Sequence, residues 1–416
     1  FGMQKEFFPS TEAFLQNFDL TSLRSETVLV KGARIFRFEK IVQLLQKRVH
    51  GTLLEVNLDA LVHNLNYYRS RLKPSTKIMV MVKAFSYGSG TFEIANLLQY
   101  HRIDYVAVAY TDEGVALRQN GIRLPVMVMN PAPETFTKLL EHKLEPEIFS
   151  LPLLRELMDA ISVKPPQNGP VHIHLKLDTG MHRLGFATED LPEMLRLILA
   201  NPNLVVTSAF SHLAGADEAL YNDFSLQQIR LFRQMASRIE MELGYSITKH
   251  ILNSAGIIRF PEHQLDMVRL GIGLYGVEAS GQFQQALQPV STLRTHVSQV
   301  KQVKKGDTVG YSRKGIADRD LTIATIAIGY ADGYDRRFGN GVGQVLIKGQ
   351  EVPIIGNVCM DMCMVDVTGM DVKAEDPVIV FGPELPLTEL AAKIGTIPYE
   401  LLTNVSARVK RVFYSE

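Results

Sequence analysis

Ile78-Met79-Val80-Met81-Val82-Lys83-Ala84-Phe85-Ser86-Tyr87-Gly88-Ser89-Gly90 is an apolar run that ends in a lysine and gives way at once to a glycine-rich turn. The run reads as a β-strand whose end delivers an amine into the turn. Apolar neighbours desolvate a lysine and favour its neutral, nucleophilic form, and neutral amines form Schiff bases with carbonyl groups. A lone Val-Lys-Ala more often marks a surface lysine at a strand end. A glycine-rich turn that receives such an amine is also a place where a carbonyl cofactor could be held, and the segment alone leaves both readings open.

Outward from this strand, between about residues 52 and 290, short β-branched apolar runs alternate with amphipathic helical patterns. Such alternation implies parallel strands joined by crossover helices. The runs at 53–57, 77–82, 105–109, 125–129, 147–149, 171–177, 205–210 and 250–252, with a short one at 267–269, suggest an α/β fold, an eight-stranded (β/α)8 TIM barrel over residues 51–290. Leu61, Leu65, Tyr68 and Leu72 share one helical face behind Asp59 as N-cap, and Leu191, Met194, Leu195 and Ile198 repeat the spacing. A doubly wound open sheet is the competing architecture. It is less attractive because no Gly-x-Gly-x-x-Gly follows the first strand. From residue 291 to 416 close-set strands at 293–303, 321–328, 344–347, 352–355, 359–367 and 377–381 are punctuated by glycine, proline and aspartate. That texture predicts a separate, mainly antiparallel β domain.

Composition narrows the function. The chain has 416 residues, 46% hydrophobic and 8% aromatic, enough for a large core divided between domains. Acidic and basic side chains balance at 44 each, so no global field favours nucleic acid or an anionic membrane. No apolar run approaches a bilayer span and no signal-peptide pattern opens the chain, so we expect a cytoplasmic protein. Cys359 and Cys363 are too closely spaced on one strand for a disulfide, and no second pair suggests zinc. They read as buried structural thiols, and no metal is expected.

In a (β/α) barrel the chemistry gathers at the C-terminal ends of the strands. Lys83, Lys176, His212 and Arg269 all fall at or near predicted strand ends, far apart in sequence. Taken singly each has an ordinary explanation: a lysine paired with Asp178, a rim histidine, an arginine before a turn. Phosphate is best held by backbone amides and hydroxyls at a helix N-terminus. Asn253-Ser254-Ala255-Gly256, with Ser254 as N-cap, offers one such place and Gly271-Ile272-Gly273 another. Together with Tyr87 they would form a phosphate cup.

The segment from Lys83 to Gly90 closely resembles the pyridoxal phosphate (PLP) lysine segment of the alanine racemases. There lysine and alanine are followed, after two residues, by tyrosine, glycine, any residue and glycine. Similarity runs from about Thr52 to Val412. Lys176-Leu177-Asp178-Thr179-Gly180-Met181-His182-Arg183-Leu184-Gly185-Phe186, Val309-Gly310-Tyr311-Ser312, Ile328-Gly329-Tyr330-Ala331-Asp332-Gly333-Tyr334 and Gly356-Asn357-Val358-Cys359-Met360-Asp361 carry the rest of it. The last two argue against the smaller PLP-binding barrel proteins, which lack the C-terminal β domain.

The resemblance implies a role for each residue. Lys83 would hold the cofactor and serve as one base. Tyr87, Ser254, Gly271 and Ile272 would hold its phosphate. Arg269 would face the pyridine nitrogen, and because a guanidinium keeps its proton the ring would be a weaker electron sink, which disfavours transamination. Tyr311 would be the second base, lent to the other subunit's cofactor, which implies a homodimer with shared active sites. His212 would bond that tyrosine and Arg269. Lys176, often carbamylated in the family, would orient Arg183, which would clamp the substrate carboxylate in a fork that lysine cannot reproduce. Tyr330 would line the substrate channel, the Met360 N–H would meet the carboxylate, and Asp361 would order the site. Two positions depart from the family pattern. Ala407 replaces a tyrosine of the inner gate, and Asn357 an arginine of some members, so the pocket mouth should be wider.

We therefore expect an alanine racemase, interconverting L- and D-alanine by two bases and supplying D-alanine for peptidoglycan synthesis. The alternatives are a broad-specificity amino acid racemase, a fold-related basic amino acid decarboxylase, and a non-catalytic PLP-binding or interaction module. Phe1 is no translational start, so the chain should be cut from a longer one, with residues 1–50 an N-terminal extension of the barrel. Val28-Leu29-Val30-Lys31-Gly32-Ala33-Arg34, with Phe38-Glu39-Lys40-Ile41-Val42, looks like the C-terminal end of a Mur ligase of the D-alanyl-D-alanine-adding type. A fusion would be metabolically coherent, since that ligase consumes the dipeptide made from the racemase product. The plainer alternative is a poorly ordered leader, or a strand and helix that merely pack on the barrel.

Overall fold

The computed structural model describes residues 6–19, 23, 28, 30–32, 36, 38, 40–41, 51–166 and 169–415. Near the start, Ser10 caps the helix Thr11–Asn17 by accepting from Ala13 N at 3.1 Å, and Lys40 pairs with Glu12 at 3.0 Å. Most of the ligase-like stretch lies outside the described residues, and so does the expectation placed on it.

The strands are β1 (Leu53–Asn57), β2 (Lys77–Met81), β3 (Tyr105–Val108), β4 (Val126–Val128), β5 (Glu145–Ile148), β6 (Val171–Lys176), β7 (Leu204–Phe210), β8 (Thr248–His250) and β9 (Met267–Leu270). They continue with β10 (Ser291–Val303), β11 (Thr308–Val309), β12 (Gly315–Ile316), β13 (Leu321–Ile326), β14 (Gln344–Ile347), β15 (Gln350–Ile355), β16 (Cys363–Asp366), β17 (Pro377–Phe381) and β18 (Lys410–Tyr414). Strands β2 to β9 form one parallel sheet in the order β8-β7-β6-β5-β4-β3-β2-β9. Its outer strands meet through Asp266 N→Lys249 O (3.1 Å) and Arg269 N→Leu252 O (3.0 Å), which closes the sheet into a (β/α)8 barrel. The helical stripes face inward: Leu61, Leu65 and Tyr68 of Leu58–Ser70, and Leu191, Met194, Leu195 and Ile198 of Leu191–Leu199, are all buried, whereas Leu72, expected on the first stripe, lies past the helix end and is half-buried.

The segment 53–57 corrects one expectation. It is not a barrel strand. β1 pairs antiparallel with β10 and parallel with β18, inside the sheet of the β domain. Its residues alternate between buried and half-buried, the mark of a strand covered on one face, whereas β2 is buried continuously after Lys77. Two-sided burial is what a helix-wrapped parallel barrel demands. β9 takes the eighth place instead.

The β domain orders its strands β13-β16-β15-β14-β17-β10-β1-β18. The long β10 bends at a register shift between Val297 and Gln299, pairing with β1 and β17 in its first half and with β13 in its second. The expected strand at 359–367 is shorter: Cys359 N→Met362 O (3.0 Å) makes a turn and only Cys363–Asp366 is extended. Cys363 is buried, Cys359 half-buried, and both thiols are free. The helix Leu58–Ser70 is capped by Asn57, which accepts from Ala60 N at 3.0 Å, in place of the expected Asp59. Among the described residues no helix is long and apolar enough to cross a membrane.

Candidate active site

Beyond β2 the backbone does something L-residues avoid. Ala84, Phe85 and Ser86 stand at φ/ψ of 51/53, 56/44 and 51/55, and Tyr87 at φ 53, a turn of left-handed helix directly after Lys83. Each such residue costs about 1–2 kcal/mol, so neighbours must enforce it. Gly88 N bonds Ala84 O (2.9 Å), and Gly90 N bonds Phe85 O (2.9 Å). Gly88 itself has φ 81, and a Cβ there would come within 2.2 Å of Leu402 O. Glu113 supplies the side-chain clamp: Oε1 accepts from Ala84 N (2.7 Å) while Oε2 accepts from Ala109 N (2.7 Å) and Tyr110 N (3.2 Å). Glu113→Ala strands three amides, and we expect a loss of about 2 kcal/mol in urea denaturation together with weaker cofactor retention by equilibrium dialysis. Unchanged stability and retention would show that the turn holds itself.

The barrel mouth gathers cations around one carboxylate. Burial pushes the Lys83 amine below its ordinary value, and the charges of Arg183 and Arg269 push the same way against Glu113 and Glu147. Lys176, at the end of β6, lies 3.9 Å from Glu147 with both nearly inaccessible. Burial lowers the Lys176 amine and raises the Glu147 carboxyl. Lys176 is therefore paired with Glu147 rather than with Asp178, whose Oδ1 accepts from Gly180 N (2.9 Å) and His182 N (3.1 Å) in the loop beyond. Lys176 Nζ and the Arg269 guanidinium stand 4.4 and 5.1 Å from the Phe210 ring centre.

Arg269 lies in β9 and is 3% exposed. Its terminal nitrogens donate to His250 Nδ1 (2.9 Å), His250 O (3.2 Å), Ser211 O (2.6 Å), Ile251 O (3.1 Å) and His212 Nδ1 (3.4 Å). The Nε–H bonds no described residue and is the guanidinium donor left for an outside acceptor. Burial, reinforced by Arg269 and its neighbouring cations, pushes His212 well below the usual imidazole range. A neutral ring accepting at Nδ1 carries its proton on Nε2.

Ser254 is not the helix cap; Asn253 is, accepting from Gly256 N at 2.9 Å. This frees Ser254 Oγ to accept from Gly271 N (2.9 Å) and Gly273 N (3.4 Å), so the two segments proposed as a cup are bonded to each other. A Cβ at Gly271 would lie 3.0 Å from Tyr87 Oη and 3.7 Å from Ser254 Oγ. Glycine there keeps open the space on which a tyrosine and a serine hydroxyl converge. Ile272 follows, buried, at the start of the next turn.

Tyr311, Tyr330, Met360 and Asp361 form a second group in the β domain. Asn357 Nδ2 donates to Tyr311 O (3.0 Å), while Tyr330 N and Ala331 N donate to Cys359 O and Met360 O at 3.0 Å. Asp361 Oδ1 accepts from Arg408 (2.8 Å), which also bonds Asp332 (2.7 Å). Tyr311, Met360 and Tyr330 are 71, 53 and 42% exposed. No hydrogen bond or ion pair between described residues joins this group to the barrel group. Arg183 sits on the exposed loop between β6 and the next helix.

Sequence reading missed Glu113, Glu147 and His250. Glu147 carried a signal, a charge inside the buried run Pro146-Glu147-Ile148, and Glu113 another, a carboxylate at the third position of a helix after a strand. His250 was seen only as part of a strand.

The family profiles "Alanine racemase, N-terminal domain" and "Alanine racemase, C-terminal domain" match residues 56–279 and 290–413. Alanine racemase 1 of Caldanaerobacter subterraneus is 36% identical over 375 residues, 88% of this chain and 95% of that protein. The alanine racemase structure from Clostridium difficile superposes with TM-score 0.82 at 35% identity over 89% of this chain and 97% of the other. That from Bartonella henselae, described with covalently bound pyridoxal phosphate, gives 0.79 at 28% over 88% and 100%. With both domains matched in order and the barrel and β-domain motifs in place, this chain belongs to the alanine racemase family.

Proposed function

We propose that the chain is a PLP-dependent isomerase that interconverts L- and D-alanine. The observation that carries this reading is a half-buried Lys83 amine, pushed below its ordinary value by burial and nearby cations, in the same cation cluster as an Arg269 with one spare N–H. The residues fit the cofactor: an amine for its aldehyde, an N–H for its ring nitrogen, and the Tyr87, Ser254, Gly271 and Ile272 cup for its phosphate. When bound, PLP would supply the electron sink that draws electrons away from Cα.

Lys83 and Tyr311 of the partner subunit divide the proton work. For L-alanine the phenol takes the α-proton and the Lys83 Nζ returns one to the opposite face; for D-alanine the roles reverse. His212, donating from Nε2, steadies the phenolic oxygen. Arg183 and the Met360 N–H clamp the carboxylate, which keeps it from leaving and disfavours decarboxylation. Tyr330 lines the approach, and the Asp361–Arg408–Asp332 bridge holds the loop that carries Met360. Glu147 gives Lys176 its counter-charge. The exposed Tyr311 group fits a homodimer with shared sites, and the product fits cytoplasmic supply of peptidoglycan precursors. The ligase-like residues near the start fit the racemase part of a Mur ligase fusion.

Incubation of the protein and PLP with L-alanine, followed by separation of enantiomers, should give a racemic mixture. Carbon dioxide without D-alanine would replace the proposal with a decarboxylase, and serine or arginine racemised as fast as alanine would widen the substrate class.

A further inference from the structure

Below the cation cluster, one layer deeper in the barrel, a second set of polar groups faces inward. Residues two apart on a strand share a face, so Glu145, His174 and Ser208 underlie Glu147, Lys176 and Phe210 on β5, β6 and β7. His174, Ser208 and His250 are fully buried. Contacts run without a gap: Arg269 Nη1 to His250 Nδ1 at 2.9 Å, His250 Nε2 to Ser208 Oγ at 3.0 Å, Ser208 Oγ to His174 Nδ1 at 2.6 Å, and His174 Nε2 to Glu145 Oε2 at 2.9 Å. Glu145 alone reaches solvent, beside a cavity lined by Lys143, Pro166, Gly169 and His172.

The chemistry of the two ends sets every proton between them. A guanidinium only donates, so His250 Nδ1 must accept and, as a neutral ring, carries its hydrogen on Nε2. That hydrogen goes to Ser208 Oγ, and the Ser208 O–H is then free to donate to His174 Nδ1. His174 holds its own hydrogen on Nε2 and donates it to the Glu145 carboxylate. Every group is satisfied and every bond points the same way. The alternative, a doubly protonated His174, would leave the buried Ser208 O–H without an acceptor in the chain, a cost that a closed network avoids.

We propose that Glu145, near the N-terminal mouth of the barrel, is a positioning residue for Arg269, acting through the one-way relay His250–Ser208–His174. This rests on Arg269 serving the ring nitrogen of the cofactor. The relay pins the Nη1 side of the guanidinium and so aims the remaining Nε–H, while the anionic terminus polarises each bond toward it.

Nitrogen-15 spectra of the histidine-labelled full-length protein should show His174 and His250 neutral, each protonated on Nε2. Ser208→Ala should lower kcat roughly tenfold with KM held within about twofold, because Arg269 acts on the reacting ring rather than on substrate capture. Ser208→Thr, which keeps a hydroxyl, should recover most of the loss, and Glu145→Gln, which keeps an acceptor but no charge, should fall between. A charged His174, a His250 proton on Nδ1, or wild-type kcat in a folded Ser208→Ala would overturn the relay. Should Ser208→Ala fail to fold, Glu145→Gln and the wild-type spectra decide. Those spectra read the relay whether or not alanine is turned over, so a chain that racemises nothing sinks the proposed function separately.

Discussion

Lys83→Ala should leave a folded protein that has lost racemisation by about 10³-fold or more, the usual weight of a positioned acid–base group compounded by loss of the cofactor's anchor. The substitution removes a cation from a cluster that already holds Lys176, Arg183 and Arg269, so stability should not suffer. Burial and the charges of Arg183 and Arg269 lower the Lys83 amine, which means the folded state favours the neutral form. The sign follows: this group costs stability at pH values where the unfolded lysine is protonated, and the cost disappears as pH rises past the ordinary lysine value. Lys83→Ala should therefore be at least as stable as the wild type near neutral pH. Borohydride treatment of the PLP-loaded wild type should mark one peptide, the one containing Lys83, and mark none in the variant. A labelled peptide elsewhere, or a racemising Lys83→Ala, would remove the amine from the centre of the proposal.

Much of this site was legible because its residues sit at places where local patterns speak. Lys83 ends an apolar run, Arg269 precedes Gly271-Ile272-Gly273, and Lys176 ends a β-branched strand, so the barrel reading predicts where each side chain emerges. What stayed hidden were relations set by closure. Nothing local in Leu53-Leu54-Glu55-Val56-Asn57 says that it joins a sheet with strands more than two hundred residues away, although its half-buried alternation distinguishes it from β2 once burial is known. The left-handed turn was equally silent. Alanine, phenylalanine and serine do not ask for positive φ, and only the pull of Glu113 and the crowding at Gly88 impose it. His174, Ser208 and Glu145 were invisible as a set because registry across β5, β6 and β7 aligns them, and registry is decided by the whole barrel.

Mixing two inactive variants should restore activity. Tyr311 sits on a turn fixed by Gly310 at φ 77, by the β11–β12 hairpin and by Asn357 bonding its carbonyl, yet its ring is left exposed and its hydroxyl bonds no described residue. A rigid backbone presenting an unsatisfied phenol outward suits a group that completes someone else's pocket. Tyr311→Phe alone should keep the cofactor and lose about 10²–10⁴-fold in turnover, since the ring remains and only the proton-bearing oxygen goes. If each site draws Lys83 from one protomer and Tyr311 from the other, a heterodimer of Lys83→Ala with Tyr311→Phe contains one site damaged twice and one wholly intact. Random reassociation of equal amounts makes half the dimers heterodimers, so about a quarter of wild-type activity should return. If instead both residues of a site come from a single chain, every site in every mixture carries one lesion and the mixture stays as inactive as its components. The quarter and the zero are far enough apart for a chiral assay to choose between them, and the zero would refute the shared site even if both single variants behaved as expected.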